Sequence, residues 1–157
     1  MKTIKVILLL FLMFNCGTKS QSNSSFETPE SIIEQFFLDY RKGQIEQAII
    51  FLFSSNEYVD MENEEIKKLK SNMKETAEAL GTYYDEVLIN KVSITDAYVL
   101  YSYMVKYDRQ PLRFSFLFYK ANDKWRMQNF SYDDELGNEL EEARKAYRLP
   151  ENLPPIE

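Results

Sequence analysis

Apolar residues recur every three or four positions through the first half of the chain and every second position through the second half. Ile32, Ile33, Phe36, Phe37 and Tyr40 fall on one side of a helical wheel. They follow a start signal in which Thr28 is the N-cap, Pro29 takes the first helical position and Glu30 faces the positive helix end. Gly43 offers a left-handed stop. A second, shorter helix is predicted at 44–53, with Ile45, Ala48, Ile49 and Leu52 inward. The acidic stretch SSNEYVDMENEE reads as a loop into a third helix, where Ile66, Leu69, Met73, Ala77 and Leu80 keep the helical period. Lys67, Lys68, Lys70, Lys74, Glu75 and Glu78 cover its other face, and Gly81 ends it. From Tyr83 the period shortens to two. Strands are predicted at 87–94, 98–106, 112–120 and 125–132, with YDRQP and ANDK as turns. In LRFSFLFYK the alternation puts Leu112, Phe114, Phe116 and Phe118 on a core face, and Arg113, Ser115, Leu117 and Tyr119 on a half-polar one. Asp133 or Asp134 caps a last helix with Leu136, Leu140, Ala143 and Tyr147 on one face. The order predicts an α+β fold: N-terminal helices packed on a curved antiparallel sheet of about four strands, then a C-terminal helix. It occupies one domain at 28–149, followed by a proline-rich tail at 150–157.

The N-terminus has a different grammar. Lys2 and Lys5 precede an unbroken apolar run at 6–14. Its length fits the roughly 7–15 residues of a signal-peptide core and falls short of the ~18–20 that span a bilayer. Residues 1–15 are therefore expected to be a signal peptide. Met13-Phe14-Asn15-Cys16 resembles the lipobox of bacterial lipoproteins, whose cysteine is acylated after signal cleavage. That family places Leu three residues before the cysteine and Gly or Ala directly before it; this chain has Met13 and Asn15. The resemblance implies a palmitate-bearing Cys16 that anchors the chain to a membrane. The polar residues that follow, within 16–27, suit a flexible tether. Gly17, Thr18 and Lys19 include no acidic retention signal, which points to the outer membrane of a bacterial cell envelope. The alternatives for Cys16 are a buried thiol lost within the signal peptide or an unpaired thiol open to oxidation. It is the only cysteine, so no internal disulfide forms.

Composition mainly excludes. Hydrophobic residues at 45% and aromatics at 15% support a packed core. The formal charge of −6, falling to −8 if Lys2 and Lys5 leave with a signal peptide, argues against a nucleic-acid partner. The chain has no histidine, which removes Ser-His-Asp and Cys-His nucleophiles and histidine bases. With one cysteine outside the domain, His/Cys metal sites go too. Four glycines, at 17, 43, 81 and 137, cannot build a phosphate-cradling loop. No cofactor and no metal are expected. Glu57, Asp60, Glu62, Glu64 and Glu65 lack the glycine and closing glutamate of a calcium loop and read as a solvated segment. Arg109, Arg113 and Arg126 read as partners of strand carboxylates before they read as an anion site.

The stretch TPESIIEQFFLDYRKGQIEQAIIFL, with the strand meander ending NDKWRMQNF, resembles the nuclear-transport-factor-2-like fold shared by SnoaL-type enzymes and ketosteroid isomerases. More particularly, the chain resembles small envelope lipoproteins that carry this domain. The resemblance implies a cystatin-like cone, a cavity between helices and sheet, and pairing of domains through the sheet as a homodimer. Enzymes of this family use a carboxylate base with a phenol or protonated acid. The raw materials here are Asp39 and Tyr40, Tyr84, and Tyr101 or Tyr103. No residue matches the family's catalytic set, and neighbours on a helix point about 100° apart, so Asp39 and Tyr40 cannot share one pocket. The expectation is a non-catalytic domain binding an envelope protein or a small apolar ligand. The alternatives are a small isomerase- or hydratase-like cavity enzyme, or a structural dimer whose cavity is filled by its own Phe and Tyr side chains.

Overall fold

The computed structural model describes residues 28–146. The expected signal peptide at 1–15, Cys16 with the expected tether at 16–27, Tyr147 and the proline-rich stretch at 150–157 lie outside the described residues. The fold is α+β, four helices with one open four-stranded antiparallel sheet.

Helix α1 (Pro29–Arg41) begins with a reciprocal cap. Thr28 Oγ1 accepts from the Ser31 amide at 3.2 Å and Ser31 Oγ accepts from the Thr28 amide at 3.3 Å. Gly43, at φ 74°, turns the chain into α2 (Ile45–Ser54). Helix α3 (Glu64–Leu80) is capped by Asn63, whose side chain accepts from the Glu65 amide at 2.7 Å. Gly81, at φ 90°, releases the chain into the sheet.

Strands β1 (Tyr83–Thr95), β2 (Tyr98–Tyr107), β3 (Leu112–Ala121) and β4 (Lys124–Asp133) pair in sequence order. The last three match the alternation within a residue at each end. Strand β1 starts earlier than the pattern predicts because register shifts at Tyr83/Asp85, Leu88/Asn90 and Ser93/Thr95 interrupt its alternation. Phe114, Phe116 and Phe118 of β3 are fully buried against α1 and α2, where Ile33, Phe36, Phe37 and Leu52 meet them.

The two sheet edges are handled differently. At β4, the Met127 amide donates to Ser55 Oγ at 3.0 Å and its carbonyl accepts from Asn56 Nδ2 at 2.8 Å, so the segment after α2 covers that edge. Asn56 is buried, and its Oδ1 also accepts from the Tyr58 amide at 3.1 Å. Asn56→Ala is expected to lower stability by about 1–2 kcal/mol, because it leaves the Met127 carbonyl unpaired. Chemical denaturation should show a lower midpoint with an unchanged slope. The β1 edge is open and broken by its bulges, a device that discourages continued pairing.

Helix α4 (Leu136–Ala146) departs from expectation. Its apolar stripe finds no core: Leu140 is 73% exposed. The helix is held instead by Arg113, which reaches Glu139 at 2.7 Å and Asp133 at 3.0 Å. Arg113 stands on the sheet face opposite the phenylalanines, so charge decides where the helix begins to dock. Among the described residues, no helix is long and apolar enough to cross a membrane.

Candidate functional site

The candidate residues separate to different parts of the domain, two of them to opposite ends of α1. At its N-terminal end, Glu30 accepts hydrogen bonds from Lys91 Nζ at 2.8 Å and from the Tyr101 hydroxyl. The Lys91 ammonium also lies 5.0 Å over the Tyr101 ring. Register explains the meeting: Lys91 of β1 is paired directly with Tyr101 of β2, on the face that α1 crosses. An open cleft of about 200 Å³ adjoins the cluster, lined also by Thr28, Thr95, Val99 and Trp125.

Burial by itself would raise the Glu30 carboxyl, but the hydrogen bonds from Lys91 and Tyr101 and the lysine's charge outweigh it and hold it at about 2. Tyr101 is pushed up to about 12, first by burial and then by its bond to Glu30. Lys91 is raised by the same partners. A carboxyl held below its ordinary value contributes stability above that value and loses it as pH falls towards the folded one. Wild type should therefore lose stability between about pH 5 and pH 2 relative to Glu30→Gln. The group is half-exposed and screened, so the difference is expected to be only about 1 kcal/mol. Melting temperatures of the two proteins across that range check it; parallel curves would remove the contribution.

At the C-terminal end of α1, Tyr40 and Tyr107 share a hydrogen bond between their hydroxyls. Burial raises both phenols. Tyr83 packs edge-on against both rings, at 5.8 and 5.9 Å, and its buried hydroxyl has no hydrogen-bond partner among the described residues. A cleft of about 290 Å³ lies here, with Ile45, Lys74 and Ala77 completing its wall.

Asp39 turns away from Tyr40, as helix geometry requires, and accepts from Gln35 Nε2 at 2.9 Å and Lys42 Nζ at 3.3 Å. Tyr84 is exposed on β1 and donates to Asp108, which raises its phenol. Thus Asp39, Tyr40, Tyr84 and Tyr101 do not converge. Tyr103 packs at 5.2 Å from Phe37, half-buried at the margin of the core. Arg113 and Arg126 are each paired with carboxylates, Arg126 with Glu57 at 3.1 Å, so they form no free cationic site.

Between the two ends of α1 the interior is filled. Phe36 lies 5.2 Å from Phe116, 5.5 Å from Phe130 and 6.2 Å from Phe114, and all four rings are buried. Sequence reasoning found Tyr40 and Tyr101 but missed Glu30, Lys91, Tyr83 and Tyr107 as their partners. The hairpin register, which the bulges of β1 conceal, was the signal needed. No family model, no curated protein and no solved structure matches the chain.

Proposed function

We propose that the chain is a lipid-anchored protein of the bacterial cell envelope, held at the outer membrane through an acylated Cys16. Its domain binds a protein partner and is non-catalytic. The observation that carries the binding reading is where apolar surface is available. The space between α1 and the sheet is occupied by Phe36, Phe37, Phe114, Phe116 and Phe130. The opposite sheet face presents Val92, Leu100 and Leu117 in one cross-strand row and Val87 and Met104 in another, all exposed or half-buried. An apolar sheet face suits a protein surface, including a second copy of the chain. On this reading the helices and the four-strand meander make a nuclear-transport-factor-2-like cone whose interior is taken up by the chain's own rings.

A small apolar ligand would have to displace those rings. The enzymatic alternative needs a carboxylate base effective near neutrality, and Glu30, the carboxylate beside a buried phenol, is held at about 2. The anchoring reading rests on the apolar run at 6–14, the sole cysteine that follows it and the polar residues beyond.

Two measurements in cells test the two halves. A clickable palmitate analogue should label wild type and leave Cys16→Ser unlabelled, with the variant longer by residues 1–15. Equal label or equal length would remove the anchor. A photo-crosslinking residue at Leu117 should capture one discrete protein, either another product or a second copy. No adduct there would remove the binding face.

A further inference from the structure

The end of the domain at which residues 16–27 join carries an aromatic and aliphatic rim. We infer that this end is a bilayer-docking surface, so that the domain rests on the membrane at its tethered end instead of hanging free above it. The inference rests on the proposed lipid anchor for its setting, but its residues all belong to the described domain.

Topology gathers them. Strand β1 ends, β2 begins, β3 ends and β4 begins at the same end of the sheet, and the Lys120 amide donates to the Ala97 carbonyl at 2.7 Å to tie the two hairpins together. Thr28, Thr95 and Trp125 line one cleft there, so the chain enters the domain beside these turns. Ile94, at a register shift of β1, is 79% exposed, and Tyr58 is 75% exposed. Tyr98 and Tyr119 pack edge-on at 6.3 Å. Each of two other aromatics carries a cation over its ring: Lys120 Nζ at 5.6 Å from Trp125, and the Arg126 guanidinium at 5.0 Å from Tyr58.

Amphipathic aromatics settle at the headgroup boundary, where the ring leaves water and its polar edge stays wet. Lys120 adjoins Trp125 there, while Arg126 is already paired with Glu57. The turns also bring Asp96 and Asp123, so ring and aliphatic burial, not net charge, supplies the contact. At the opposite end Asp85, Glu86 and Asp133 are paired with Lys106, Arg41 and Arg113, so charge does not tell the two ends apart and the exposed rings and Ile94 carry the distinction. The twelve residues at 16–27 reach at most about 40 Å fully extended, so an anchored Cys16 would hold this end within that distance of the lipid.

Trp125 is the only tryptophan of the chain and sits on this surface, so its fluorescence reads the docking directly. The full chain, extracted from its own membranes and weighed intact, is reconstituted into phosphatidylcholine vesicles with a minor share of phosphatidylglycerol and a headgroup nitroxide quencher. Trp125 emission should shift to the blue and be quenched, with little dependence on salt. The doubly exposed-site variant Ile94→Glu/Tyr58→Ser, shown to melt like wild type, should lose most of that quenching. Quenching that is absent, or equal in wild type and variant, overturns the docking surface. The mass decides the anchor separately: an acylated chain without variant-sensitive quenching keeps the anchor and loses the surface. An unacylated chain with variant-sensitive quenching keeps the surface and loses the anchor.

Discussion

Phe36→Ala is expected to lower stability by about 4 kcal/mol, a fall in Tm on the order of 15 °C. Phe36 has no exposed surface and is the ring on which the helical layer and the sheet meet. It lies 5.3 Å from Phe37 and 5.6 Å from Tyr40 on its own helix, and within 6.2 Å of Phe114, Phe116 and Phe130 across the interface. Removing it loses the transfer free energy of the ring, several edge-to-face contacts and the packing of the rings left behind. Phe36→Leu, which keeps most of the volume, should lose much less. The same variant bears on function. A space lined by phenylalanine stays dry and accepts small apolar molecules. Benzene or toluene should raise the Tm of Phe36→Ala and leave wild type unchanged. A comparable shift in wild type would mean that the interior already has room for a ligand.

Gly81→Ala is expected to cost about 3 kcal/mol through two separable causes. The residue has φ 90° and ψ −147°, a combination that side chains on an L-residue disfavour by about 1–3 kcal/mol. A Cβ there would also stand 2.6 Å from Asp108 Oδ2 and 3.1 Å from Asp108 Cβ. That carboxylate is not free to yield: it accepts from the Thr82 amide at 2.6 Å and from the Tyr84 hydroxyl. The backbone around it is tied as well, with the Asp108 amide on Thr82 O at 3.1 Å and the Arg109 amide on Leu80 O at 3.2 Å. Asp108→Ala should remove the 2.6 Å collision with the carboxylate and leave the backbone strain and the tight contact with the residue 108 Cβ. The double variant is therefore expected to be more stable than the sum of the single losses, by the coupling a double-mutant cycle reads. Strict additivity would mean that the collision contributes nothing.

Much of this architecture was legible because the local signals agree with one another. Thr28, Pro29 and Glu30 start α1, Gly43 and Gly81 end helices in positive-φ conformations, and β3 alternates without a fault. The failures come from information that is not local. Strand β1 contains three register shifts, so its inward residues, Lys91 among them, cannot be counted off from the sequence. Without that register, neither the Glu30–Lys91–Tyr101 cluster nor the pairing of Tyr83 with Tyr107 can be reached from the two strands separately. Tyr40 was identifiable as an inward-facing tyrosine from the period of α1, Tyr101 turns inward only through the register of β2, and Asp39 and Tyr84 satisfy neighbours at the surface. Helix α4 has a regular apolar stripe but remains largely exposed, since periodicity tells which residues share a face and not whether anything covers it.

Native mass spectrometry on the chain extracted gently from its own membranes tests the lipid anchor and the filled interior together. The expected species is a polypeptide beginning at Cys16, carrying acyl mass that survives denaturation, with no further small-molecule mass that denaturation removes. A chain with an unmodified Cys16 would contradict the anchor. A small apolar molecule retained in the folded state and released on unfolding would contradict the filled interior.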